Sequence, residues 1–100
     1  MRILSRKKIN SKELKVISSQ LSSMLGSGCD IITCLEILIT SSSRTVEEGV
    51  KRALRSIKNG KTLAESFALS TYFTNFFVNM VRAGEISGKI DYVFNRMSFY

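Results

Sequence analysis

The amino-acid sequence predicts an all-α protein: a compact six-helix bundle of antiparallel helices joined by short loops. Three observations carry that expectation. There is no proline in 100 residues, so nothing locks φ or removes a backbone donor inside a helix. Apolar residues recur at helical spacing in six segments, and none alternates with the period of two that marks a strand. Residues that cap or stop helices punctuate the segments. The length suits one domain, and an apolar fraction of 44% fills a modest core.

Ser11 is placed to cap the first helix, whose stripe is Leu14, Ile17, Leu21, Met24 and Leu25. Gly26-Ser27-Gly28 ends it. Asp30 caps the second helix, with Ile31, Leu35, Leu38 and Ile39 as its stripe, widened by Ile32 and Cys34. The polar run Thr40 to Ser43 stops it. Thr45-x-x-Glu48 is a capping-box pattern ahead of Val46, Val50, Ala53, Leu54 and Ile57, and Asn59-Gly60 closes that third helix. Thr62-x-x-Glu65 opens a short fourth helix bearing Leu63, Phe67 and Leu69. Thr74 or Asn75 opens the fifth, with Phe76, Phe77, Met80 and Val81, and Gly84 is expected to end it. Ser87 is expected to cap the sixth, with Ile90, Val93, Phe94 and Met97. No stop signal precedes Tyr100. The last helix is therefore expected to include the chain's last residue, and the chain to be a piece of a longer protein.

Composition excludes several chemistries. There is no histidine. That removes His-based acid–base catalysis, Ser-His-Asp and Cys-His pairs and every His-containing zinc site. Cys29 and Cys34 are too few for a disulfide framework. Five residues apart, they would lie roughly 140° around one helix. They read as small buried hydrophobes in a reducing compartment. No apolar run approaches the ~18 residues that span a bilayer. Gly26-x-Gly28 has Ile31 where a dinucleotide fingerprint needs its third glycine, and Gly60-Lys61-Thr62 has Arg55 where a phosphate loop needs its first. No cofactor is expected.

Charge is uneven. The net charge is +7, and residues 1–15 carry Arg2, Arg6, Lys7, Lys8, Lys12 and Lys15 against Glu13 alone, a net of +5. Residues 1–11 thus read as a basic N-terminal arm and residues 12–100 as a nearly balanced helical domain. Such an arm suits nucleic acid, anionic lipid or an acidic protein. Arg52, Arg55 and Lys58 share one helix, which suggests a nucleic-acid-binding helical module as the rival reading. Glu47 and Glu48 begin that same helix, and Glu47 with Lys51 makes an ordinary surface pair. A solvated face is preferred, with no nucleic acid partner.

The densest stretch is Gly84-Glu85-Ile86-Ser87-Gly88-Lys89-Ile90. It reads as a tight helix–helix corner, with Gly84 closing one helix, Ser87 capping the next and Gly88 allowing a close approach. Charge and bare backbone presented together on a loop make Gly84, Glu85, Ser87 and Gly88 the candidate partner-binding site. Glu85 and Asp91 offer two carboxylates to a hard cation such as Ca²⁺, against the roughly six to eight oxygens it takes. That metal site is a minor candidate.

Taken in order, the motifs resemble a known family. An opening helix runs into Gly26-Ser27-Gly28 and then Ile31-x-x-x-Leu35-Glu36-Ile37-Leu38. Val50 to Ile57 runs into Asn59-Gly60, Gly60-Lys61-Thr62-Leu63-Ala64-Glu65-Ser66-Phe67 follows, and Val81-Arg82-Ala83-Gly84-Glu85-Ile86-Ser87-Gly88-Lys89-Ile90 is the most specific segment. Together they resemble the type II secretion system F domain of inner-membrane platform proteins, found in type II secretion, type IV pilus and competence pseudopilus systems. The likeness covers about residues 12–100. Tyr72-Phe73-Thr74-Asn75 departs from it, since relatives usually carry a proline near the start of the fifth helix. Ile90 in place of leucine is conservative. The resemblance implies a cytoplasmic six-helix domain of a polytopic, non-enzymatic membrane protein, excised from a longer chain. It also implies partners: an assembly ATPase and other inner-membrane assembly components, pilin or pseudopilin subunits, and further copies of itself. The basic arm would then lie beside the anionic membrane surface.

Overall fold

Five of the six helices start after a small polar residue, though not always the one the local pattern selects. In the computed structural model, which describes residues 8–100, the helices are α1 Ser11–Gly26, α2 Ile31–Ser41, α3 Arg44–Lys58, α4 Leu63–Ser70, α5 Asn75–Ser87 and α6 Ile90–Met97. Arg2, Arg6 and Lys7 of the basic arm lie outside the described residues. Asp30, Thr62 and Thr74 cap α2, α4 and α5 as the sequence predicts. Two caps are corrected. Asn10, not Ser11, caps α1, in a capping box where Asn10 Oδ1 accepts from Glu13 N–H at 2.8 Å. Ser43, not Thr45, caps α3 by accepting from Val46 N–H at 3.3 Å, and its hydroxyl donates to Glu13 Oε2 at 2.7 Å. That second bond joins residues thirty positions apart, so no local pattern displays it. The end of α6 is corrected too. The helix stops at Met97, and the last residues form turns in which Phe99 N–H reaches Arg96 O and Tyr100 N–H reaches Met97 O.

Short loops leave each helix packed on its neighbours in sequence, and α6 closes the circle on α1. Among the described residues there is no strand. No helix among them is long and apolar enough to cross a membrane. The predicted stripes meet in the middle as Ile17, Leu21, Leu35, Leu38, Val50, Leu54, Phe67, Phe77, Val81 and Phe94, all buried. Phe67, Phe73 and Phe77 lie 4.6–5.1 Å apart, with an edge-on contact between Phe67 and Phe77 and a stacked one between Phe73 and Phe77. Two stripe members turn outward instead: Leu69 is 56% exposed and Phe76 53%.

Three core residues come from irregular backbone. Ile9, just ahead of α1, is wholly buried, and Tyr72 and Phe73 between α4 and α5 are buried with it. Ile9 N–H donates to Tyr72 O at 2.8 Å, and Lys8 Nζ donates to Thr71 O at 3.1 Å. The described end of the arm is thus docked on the α4–α5 loop. Burying an Ile or Phe side chain contributes about 1.5–3 kcal/mol, comparable to what a helical stripe residue gives.

Candidate functional site

The α5–α6 corner is built around two glycines whose roles are the reverse of the sequence expectation. Gly84 does not end α5. The helix passes through it to Ser87, and Gly84 is buried where α6 crosses. A Cβ there would lie 3.0 Å from Ile90 Cδ1 and Val93 Cγ2 and 3.2 Å from Ile90 Cα. Gly84 is therefore the close-approach glycine. Gly88 closes the helix. Its φ of +73° is left-handed, its N–H donates to Gly84 O, and Lys89 N–H donates to the same carbonyl at 2.9 Å. No atom stands within 4 Å of a Cβ built on Gly88, so backbone conformation alone selects glycine.

Ser87 does not cap α6. Its hydroxyl donates back to Gly84 O at 3.4 Å, and Lys89 precedes α6 with no side-chain cap. The carboxylate expected to face a partner is engaged within the chain. Glu85 Oε2 accepts from Leu63 N–H at 2.8 Å and Oε1 from Ala64 N–H at 3.0 Å. Thr62 Oγ1 accepts from Glu65 N–H at 3.1 Å, and Glu65 Oε1 accepts from Thr62 N–H at 3.0 Å. The donors that the start of α4 leaves without helical partners are thus all used. The bond from Thr62 N–H holds the Glu65 carboxyl below the ordinary carboxylate range.

Thr62, Gly84 and Gly88 line a groove of about 450 Å³, walled by Ile31, Ile57, Leu63 and Ile90 and edged by Lys61 and Glu85. A second cleft lies between Glu65, Arg82 and Ile86. Ile86, inside the motif, is 82% exposed. Sequence reasoning passed over it, although an apolar residue between charged and small ones at a corner is a visible signal. Asp91 sits in the first turn of α6, where its Oδ1 accepts from Tyr92 N–H at 2.9 Å. Among the described residues no three His, Cys, Asp or Glu side chains gather as a metal site would require.

Three of the basic residues of α3 have partners of their own. Lys51 pairs with Glu47 at 2.9 Å, Lys58 with Glu36 at 3.4 Å, and the Arg52 guanidinium lies 5.7 Å from the centre of the Tyr72 ring. The two thiols are unpaired. Cys34 is buried and its Sγ donates to Cys29 O at 3.7 Å. Burial pushes the Cys34 thiol up to about 12, helped by the neighbouring Cys29.

Residues 17–100 match the family model for protein F of the type II secretion system, and the chain belongs to that family. It is 32% identical over 90 residues to the type IV pilus assembly protein PilC of Thermus thermophilus, covering 89% of this chain and 22% of that protein. It is 31% identical over 100 residues to the type II secretion system protein F of Aeromonas hydrophila, covering 98% of this chain and 26% of the relative. A Vibrio cholerae type II secretion system protein F is 31% identical over 94 residues, covering 92% of this chain and 23% of its own length. The chain thus spans about a quarter of the length of these relatives.

Proposed function

We propose that this chain is a cytoplasmic scaffold domain of the inner-membrane platform of a type IV pilus or type II secretion system. It couples an assembly ATPase to pilin or pseudopilin assembly, and it catalyses nothing itself. Its parent crosses the membrane several times and works as a homo-oligomer, with the basic arm beside anionic lipid. Family membership carries this reading. The corner supplies the contact: Glu85, Gly84 and Gly88 hold it rigid, Ser87 and the groove beside it are open to a partner, and Ile86 projects from it. An exposed apolar side chain on a fixed backbone is the kind of anchor that protein interfaces bury.

Ile86→Asp in the full-length protein, in its own host, tests this directly. Pilus assembly or secretion should fail while the protein stays at its normal level, and co-purification with the assembly ATPase should drop. Normal assembly at normal level rejects the corner as a contact. The rival nucleic-acid module predicts DNA binding that weakens steeply with salt; no binding at low salt removes it.

A further inference from the structure

An asparagine followed by glycine is the pair in which a side-chain amide is most open to attack by its own backbone, because glycine has no side chain to shield the nitrogen. Of the five asparagines in the chain, Asn59 alone precedes a glycine. It is exposed, and its carboxamide makes no hydrogen bond among the described residues. By contrast, the Asn10 carboxamide accepts from Glu13 N–H and that of Asn79 from Arg82.

The turn around Asn59 holds that attack off in two ways. Closing the imide ring needs the Gly60 nitrogen to eclipse Asn59 Cβ about the Cα–C bond, since the ring is nearly flat. With ψ of 11° at Asn59, the Gly60 nitrogen eclipses Asn59's own nitrogen instead. The Gly60 N–H is also engaged, donating to Ile57 O at 3.0 Å. Asn59 N–H donates to Arg55 O and Ser56 O, and Lys61 N–H reaches back to Ser56 O at 3.1 Å. With Gly60 at φ +92°, these bonds close the end of α3. They are few and lie at the surface, and a helix end of that kind opens far more often than the whole domain unfolds.

We propose that Asn59 is a self-modification site gated by the closing turn of α3. When the turn opens, the Gly60 nitrogen attacks Asn59 Cγ. The N–Cγ bond forms, the bond from Cγ to the amide nitrogen breaks, and ammonia leaves with the Gly60 proton. Water then opens the imide. Addition at Cγ gives aspartate, and addition at the main-chain carbonyl gives isoaspartate. Either product brings a carboxylate to the end of α3, where the helix dipole disfavours an anion. Isoaspartate also adds a methylene to the backbone between α3 and α4. Lys61 and Thr62, which line the corner groove, follow directly behind it. The chemistry belongs to the 100-residue chain and stands apart from the scaffold role, so either can fail alone.

The test incubates this chain at neutral pH, native and in guanidinium chloride. Cleavage after Glu48 and Glu65 releases a peptide in which Asn59 is the only side-chain amide, so its mass reports the exchange of an amide nitrogen for an oxygen at that residue. Enzymatic methylation of isoaspartate separates the two products. A mixture of aspartate and isoaspartate is expected. It should form roughly thirtyfold or more slowly in the native chain than in denaturant, the factor that breaking two or three surface hydrogen bonds imposes. That ratio should match the exchange protection of the Gly60 amide, which reports the same opening. Gly60→Ala should slow conversion severalfold in denaturant, where folding plays no part. The proposal is overturned if Asn59 converts equally fast in both states, which would mean that the turn is no gate. It is equally overturned if aspartate alone appears, which would mean that water attacks the amide directly, or if the unfolded chain leaves Asn59 intact.

Discussion

Glu85 accepts a hydrogen bond from the main-chain N–H of Leu63 at 2.8 Å, across twenty-two residues of sequence. With its second bond to Ala64, this carboxylate fastens the last turns of α5 to the first turn of α4. Capping is usually local; here the cap comes from another helix. Glu85→Ala should cost about 1–2 kcal/mol of unfolding free energy, read from urea denaturation. Glu85→Gln should recover part of it, because the amide oxygen can still accept from one of the two N–H groups. A change below the error of the urea midpoint for Glu85→Ala would show that the cap is dispensable.

The two corner glycines should fail in different ways. Gly84→Ala adds a Cβ 3.0 Å from two side chains and 3.2 Å from backbone. Overpacking of that kind costs about 1–3 kcal/mol, more than the ~1 kcal/mol that alanine gains in helix propensity. Gly88→Ala meets no neighbour and costs about 1 kcal/mol through its left-handed φ alone. Gly88→Asn should be milder than Gly88→Ala, whereas no substitution at Gly84 escapes the clash. Denaturant midpoints for the three variants decide it: no loss at Gly84→Ala would refute the close approach, and no loss at Gly88→Ala would refute the reading of Gly88.

The corner also marks where sequence reasoning stops. A glycine inside an apolar-periodic run usually signals a helix end, so Gly84 was expected to stop α5 and Ser87 to start α6. The packing of Ile90 and Val93 against Gly84 decides otherwise, and those contacts cross the turn. Six helices were legible because each keeps an apolar stripe at its own period, and Asp30, Thr62 and Thr74 were legible because a cap sits beside the helix it serves. Ser43 was passed over for Thr45 because half of its bonding goes to Glu13 on another helix. Ile9, Tyr72 and Phe73 carry no periodicity, since isolated apolar residues in loops have none. Of the site, the motif was visible. That Glu85 is spent inside the fold, and that Ile86 is what projects, needed the third dimension.

Acid should loosen the capping network. Hydrogen bonds hold Glu65 and Asp30 below the ordinary carboxylate range, through Thr62 and Thr33 respectively, and Lys51 does the same for Glu47. A lowered folded value contributes stability that is complete above the unfolded value of roughly 4 and is lost as pH falls through the folded one. Urea midpoints should be flat with respect to these groups from neutral pH down to about 5 and decline below 4. In Glu65→Gln, which removes the carboxyl that the Thr62 N–H holds down, that decline should shrink. An unchanged acid profile in the variant would sink the assignment.

Cys34 should be inert until the bundle opens. Its thiol, pushed up to about 12 by burial, stays protonated at neutral pH, and the thiolate is the nucleophile. Iodoacetamide at pH 8 should label half-exposed Cys29 and leave Cys34 unmodified, with both labelled in urea. The sign on stability is the opposite of the acid case. Between roughly pH 8.5 and about 12 only the unfolded chain loses this proton, so stability declines as pH rises. Rapid native labelling of Cys34 would contradict both statements.

The docking of Ile9 and Lys8 on the α4–α5 loop has a mechanical consequence. Traction arriving along the backbone from residues ahead of Lys8 is borne first by the Ile9–Tyr72 main-chain bond and the buried Ile9 side chain. The load passes into the loop behind α4 and reaches α1 only after that anchorage slips. The segment therefore acts as a strain relief, protecting the first helix from tension in whatever precedes it.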